Sequence, residues 1–160
     1  VDRVDVSGSD DAYWELFNQL WSAREAFTIV EQDTEIHSGV FKSFSRCDEL
    51  WCAYLYEGPG YTTGGDTLIA ALGCTRFRTE LMVAESDLIT KIALFNDDVH
   101  VPLKSWRRMD SRIDAELRRR GYTCHRHSPP VRHHHVYHGH CACGRTHAEY
   151  PVDREGRFDG

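Results

Sequence analysis

Between Ala26 and His37 the chain reads AFTIVEQDTEIH, and this abrupt passage from apolar to acidic constrains the fold more than any other stretch. Phe27, Thr28, Ile29 and Val30 form a short, β-branched apolar run, the pattern of a buried strand. The run ends in Glu31, Gln32 and Asp33, followed by Glu35 and His37. A strand that delivers carboxylates at its C-terminal end suits the ligand crevice of an α/β sheet. The spacing Glu31-x-Asp33 sets two carboxylates close together, and such oxygen ligands suit Mg²⁺ or Mn²⁺ with a substrate phosphate completing the shell. A solvated acidic turn is the other reading of the same residues.

The elements around this run set the expected layout. Val1–Val6 (VDRVDV) alternates apolar and polar and reads as an edge strand. Ser9 or Asp10 can cap the helix that follows, in which Tyr13, Trp14, Phe17, Leu20 and Trp21 recur at helical steps as one core-facing side. Strand, helix and strand within so short a span predict a βαβ unit with parallel strands and a right-handed crossover. Beyond the acidic loop, VFKSFSRC reads as a short helix, WCAYLYE (51–57) as a strand and TLIAAL (67–72) as another, running on into GCTRF. The glycine-rich loop between them lacks the Lys and Ser/Thr of a phosphate-binding P-loop and reads as a lid or a plain loop. A helix is expected over 78–84, and 85–101 is ambiguous between helix and extended chain. Trp106–Arg120 is a helix with Trp106, Met109, Ile113 and Leu117 on one face, stopped by Gly121. Asp110 lies on that apolar face, where a carboxylate needs a salt-bridge partner or a catalytic or acceptor-binding role.

Length and charge narrow the classes. With 160 residues the chain can bury one proper core, and a net charge of −6 with neutral histidines argues against a broad nucleic-acid surface. No segment is long and apolar enough to span a membrane and no secretory signal is visible, which predicts a cytoplasmic protein with reduced thiols. Ten histidines and six cysteines are present, and eight of the histidines fall between His125 and His147. His125 and His127 alternate on an extended segment, so they can grip one ion, as can His133 and His135. His140, Cys141, Cys143 and His147 form a compact mixed set that could hold Zn²⁺, although the spacing is not that of a zinc finger. The division expected is an α/β domain over 1–135 and a His/Cys-rich tail over 136–160, metal-binding and then fraying.

The order of acidic strand end, short helix, WCAYLY, GCTRF, W-x-x-x-D helix and H-x-H-x-P resembles small glycosyltransferase-like domains of the GT-A fold, of actinobacterial and phage type. The resemblance covers residues 1 to about 135. It implies a mostly parallel, Rossmann-like three-layer sandwich, small or partial. The family has more of its nucleotide-binding half before the acidic motif, which suggests an N-terminally shortened version here. By resemblance, Glu31 and Asp33 stand at the Asp-x-Asp motif that holds Mn²⁺ or Mg²⁺ on a nucleotide-sugar diphosphate, with Glu in place of the first Asp. His125 or His127 would be the later metal ligand, Asp110 the base toward the acceptor hydroxyl, and Gly73 and Cys74 would line the sugar or acceptor site. Arg76 and Arg78 would add phosphate contacts. The expected function is metal-dependent transfer of a sugar from a nucleotide-sugar donor; the alternative is a non-catalytic, zinc-stabilised binding or structural module.

Overall fold

The structure is a computed structural model and describes residues 2–6, 8–9, 11–32, 34–57, 72–93, 104 and 109–133. Residues 67–71 of the expected 67–72 strand, the glycine-rich loop, Asp33, Trp106 and residues 134–160, with the expected 136–160 tail among them, lie outside the described residues. In chain order the elements are α1 (Ala12–Ala23), β1 (Phe27–Val30), β2 (Thr34–Glu35), α2 (Val40–Arg46), β3 (Trp51–Glu57), β4 (Cys74–Phe77), α3 (Thr79–Ala84), α4 (Leu88–Ala93), α5 (Met109–Arg119) and β5 (His125–His133).

The five strands form one mixed sheet in the order β1-β4-β3-β5-β2. Three of its four pairings are antiparallel: β1 with β4, β3 with β4, and β2 with β5. Only β3 and β5 run parallel. The expectation of a mostly parallel sheet is therefore corrected. Its physical basis was the βαβ unit, and that unit does not form: residues 2–6 make no strand and Val4 is 55% exposed. The alternation in VDRVDV would bury a face only against a neighbouring strand. Instead β1 takes its partner from later in the chain, with Phe27 opposite Phe77 and Val30 opposite Cys74. GCTRF, expected at the tail of a strand, supplies this inserted strand itself.

Both faces of the sheet are covered, and the strand alternation sorts the side chains between them. Trp51, Ala53 and Phe77 face α1, α3, α4 and α5, joining Phe17, Trp21, Leu81, Met82, Leu88, Ile92, Ile113 and Leu117 in the larger core. Phe17, Trp21, Phe27 and Phe77 meet there edge-to-face or stacked at 5.4–6.0 Å between centroids. Burying side chains of this size is worth about 1.5–3 kcal/mol each, which is why the larger core dominates the fold. On the other face Cys52, Tyr54 and Cys74 pack with Val40 and Phe44 of α2 and with Val131 of β5.

Helix α5 ends as its sequence dictates. Gly121 takes φ +90, Gly121 N–H donates to the Arg118 carbonyl at 2.9 Å, and Tyr122 N–H reaches back to the Leu117 carbonyl at 2.9 Å. This is a Schellman closure, and glycine supplies the left-handed residue without a Cβ penalty. No helix among the described residues is long and apolar enough to cross a membrane.

Candidate functional site

Because β4 runs against both β1 and β3, and β5 runs with β3, strands β1, β3 and β5 all point the same way. Their C-terminal ends line one rim of the sheet. Glu31 leaves β1 at this rim, its N–H donating to the carbonyl of Gly73 at 2.9 Å just before β4 begins. Thr34 N–H donates to the Glu31 carbonyl at 3.1 Å, and Thr34 lies opposite His133 in the β2–β5 register.

Glu31 is held from the α1 side. The Tyr13 hydroxyl donates to Glu31 Oε1 at 2.9 Å. Burial pushes the Tyr13 phenol well above its ordinary value, and the nearby charges of Glu31 and Asp110 push it the same way. The phenol therefore stays protonated and remains a donor to the carboxylate. Asp110, in the first turn of α5, shares this neighbourhood: its charge is felt at the same phenol. Asp110 Oδ1 accepts from the Ser111 N–H at 2.7 Å and from the Ser111 hydroxyl at 3.3 Å. Burial raises the Asp110 pKa, although the Ser111 bonds oppose the rise. Among the described residues the partner of Asp110 is thus a serine, not one of the helix arginines.

Gly73 closes the rim. A Cβ there would stand 2.8 Å from Glu31 Oε2 and 2.9 Å from Thr34 Oγ1, and would collide with the Tyr56 hydroxyl. Thr34 is 8% exposed, and among the described residues its buried hydroxyl has no hydrogen-bond partner. Oxygen atoms of Glu31, Thr34 and Tyr56 thus converge on the face of Gly73 and fill the space a side chain would take there. Carboxylate and hydroxyl oxygens are the ligand type a hard divalent cation takes, whereas the group of three ligand atoms that the described residues draw within 4.8 Å of one another is Cys47, His125 and His127.

The other expected residues lie elsewhere. Arg76 sits inside β4, opposite Thr28 and Cys52, and its guanidinium is turned to the end of α2. It donates to the Phe44 carbonyl, to the Cys47 carbonyl at 2.7 Å and to the Glu49 carbonyl at 3.3 Å. The orphan carbonyls of a helix C-terminus are a strong attractor for a buried cation, and this use replaces the expected phosphate contact. Arg78 likewise pairs with Asp48 and Glu80. Arg76→Leu is expected to cost about 2 kcal/mol, since hydrogen bonds from a charged donor are worth about 1.5–3 kcal/mol. A lowered midpoint in urea denaturation with an unchanged slope would register that loss.

His125 and His127 do not join Glu31. They stand at the start of β5, the end away from the rim, and His127 packs on the α2 face against Phe44. His127 stacks on Tyr54 at 5.0 Å and meets Phe44 edge-on at 5.4 Å. Burial, with the His125 and Arg76 charges beside it, holds the His127 pKa below its ordinary value. The neighbour that the two histidines do find is Cys47. Sequence reasoning missed Cys47, and the one available signal was its place at the end of the short VFKSFSRC helix. His140, Cys141, Cys143 and His147 lie outside the described residues. The cysteines at 47, 52, 74 and 124 are free thiols, and burial pushes Cys74 and Cys124 up to about 12. No family model, no curated protein and no solved structure matches the chain.

Proposed function

We propose that the rim at the ends of β1, β3 and β5 is the working site, and that the chain transfers a sugar from a nucleotide-diphosphate donor to an acceptor hydroxyl with the help of Mn²⁺ or Mg²⁺. The observation that supports this best is the convergence of the Glu31, Thr34 and Tyr56 oxygens at Gly73, with the Asp110 charge felt at the Tyr13 phenol that holds Glu31. The GT-A-like motif order points to the same residues.

In this reading Glu31 and Asp33 would hold the ion, which when bound supplies charge neutralisation at the departing diphosphate. The chain's own residues do the rest. Tyr13 fixes the orientation of Glu31 by donating to one oxygen. Gly73, having no Cβ, lets the Glu31, Thr34 and Tyr56 oxygens close against the backbone. Asp110 accepts the proton from the acceptor hydroxyl; a carboxylate whose pKa is raised by burial is the stronger base, and Ser111 aims it. The expectation of a zinc-stabilised module built on the 140–147 tail rests on residues outside the described part and competes with this reading.

Calorimetric titration with nucleoside diphosphates, with and without Mn²⁺, tests the proposal. Glu31→Gln and Asp33→Ala are each expected to weaken the metal-dependent binding at least tenfold, about 1.4 kcal/mol. Binding that ignores both substitutions, or that never depends on the metal, removes the assignment.

A further inference from the structure

On the opposite face of the sheet, Cys47, His125 and His127 bring one ligand atom each to within 4.8 Å of one another. They come from two elements far apart in the chain. Cys47 follows the last turn of α2, and the two histidines alternate on one side of β5. Cys52 lies on β3 directly opposite His125 in the parallel register, and its thiol is close enough to interact with that of Cys47. We propose that Cys47, His125 and His127 form a site for a zinc-class ion that staples the end of α2 to β5.

The donor chemistry selects the ion. Thiolate sulfur and imidazole nitrogen favour zinc and its softer neighbours, and one thiolate with two imidazoles leaves the fourth tetrahedral position to water or to the nearby Cys52 thiol. No carboxylate enters the group. This ion is therefore of a different class from one held by Glu31 and Asp33, and the staple stands or falls independently of the transferase reading.

The geometry is close to what such an ion requires. With Zn–N near 2.0 Å and Zn–S near 2.3 Å, tetrahedral ligand atoms stand about 3.3–3.8 Å apart. Closing from 4.8 Å asks for a shift of about one ångström. Cys47 is half-buried and His125 exposed, so both can rotate, whereas the surroundings are fixed. Arg76 grips the Cys47 carbonyl at 2.7 Å, which sets where the thiol can reach. Tyr54 and Phe44 clamp the His127 ring, and the His125 ring meets it edge-on at 4.7 Å. His127 Nε2 is buried and has no hydrogen-bond partner among the described residues. A buried orphan nitrogen costs stability unless something occupies it.

The test uses the full chain under reducing conditions in a Cys141→Ser/Cys143→Ser background, so that the tail thiols cannot supply the signal. The metal-free protein is titrated with Zn²⁺, and with Co²⁺ as a spectroscopic probe. One equivalent should bind, the cobalt form should show thiolate-to-metal charge transfer, and Zn²⁺ should raise the melting temperature. Cys47→Ser and His125→Ala should each weaken binding by more than about 100-fold, because even outer-shell changes cost about 10–100-fold, and should abolish the zinc-dependent rise. Both positions are at least partly exposed, so both variants should keep the parent circular dichroism. Absence of metal binding in the background protein, or binding that Cys47→Ser and His125→Ala leave unchanged, overturns the proposal.

Discussion

Arg120→Ala is expected to destabilise the fold by about 3 kcal/mol, the low end of the 3–5 kcal/mol that follows when one partner of a buried ion pair is removed. Arg120 ties the end of α5 to the α3–α4 corner. Its Nε donates to Glu116 Oε1 at 2.8 Å, and its Nη1 donates to Glu85 and, at 2.6 Å, to Asp87. The side chains of Arg120, Glu116 and Glu85 are only 12%, 6% and 18% exposed, so the loss strands carboxylates that water cannot fully rescue. The cost stays low in the range because Arg119 still donates to both oxygens of Glu116, and the Tyr122 hydroxyl still donates to Glu85 at 2.7 Å. Asp87→Ala is the contrast. Its side chain is 67% exposed, and its removal should shift stability by no more than about 0.5 kcal/mol. Equal effects from the two substitutions, measured by urea denaturation at neutral pH, would refute the ranking.

The same network dictates an acid limb. The Arg119 guanidinium, and then that of Arg120, hold the Glu116 carboxyl down at about 2. A carboxyl depressed in the folded state binds fewer protons there than in the unfolded chain, so stability rises with pH across its window. The contribution is complete above the ordinary glutamate value of about 4.3 and is lost as pH falls toward about 2. In Arg120→Ala, that acid-limb slope should become shallower.

The ends of this molecule were unequally legible in its sequence. Helices α1 and α5 announce themselves because their core contacts are local: Phe17 and Trp21, or Ile113 and Leu117, repeat at the helical step whatever the rest of the chain does. Strands β1 and β3 are equally plain as apolar runs. Strand direction is not local information. Nothing in FTIV says that it will pair with CTRF, and a mixed sheet covered on both faces asks for the same short apolar runs as a parallel one. Arg76 shows the same gap at the level of one residue. An arginine near a glycine and a strand end suggests a phosphate ligand, but its use was decided by the orphan carbonyls of α2, which only the folded chain brings beside it. For the rim, Glu31, Gly73 and Asp110 were each singled out from the sequence; Tyr13 donates to Glu31 and feels the Asp110 charge, while Glu31, Thr34 and Tyr56 crowd Gly73. Tyr13 itself was read as part of an apolar helix face. Its hydroxyl has a second role that periodicity cannot register. The pairing of His125 and His127 was visible in their alternation, whereas Cys47 reaches them only through the packing of α2 on the sheet.

Gly73→Ala is expected to lower stability by about 1–3 kcal/mol, the usual cost of adding a methyl group where there is no room, and to abolish metal-dependent nucleotide binding. The added Cβ would collide with the Tyr56 hydroxyl and crowd Glu31 Oε2 at 2.8 Å and Thr34 Oγ1 at 2.9 Å. None of these atoms retreats easily. Tyr56 packs against the α2-side core, Thr34 is buried, and Glu31 is tethered by Tyr13. Gly8→Ala serves as the neutral control, because a Cβ at Gly8 meets nothing within 4 Å. Tyr56→Phe in the Gly73→Ala background should recover part of the lost stability, since it removes the closest obstructing atom, and that recovery is a coupling a double-mutant cycle reads directly. The two readouts then separate the fold from the function. If stability falls while metal-dependent nucleotide binding persists at full strength, the oxygen cluster at Gly73 is a packing feature alone and the ligand lies somewhere else on the protein. If both fall and Tyr56→Phe restores only stability, the oxygens packed at Gly73 serve the ligand as well as the fold.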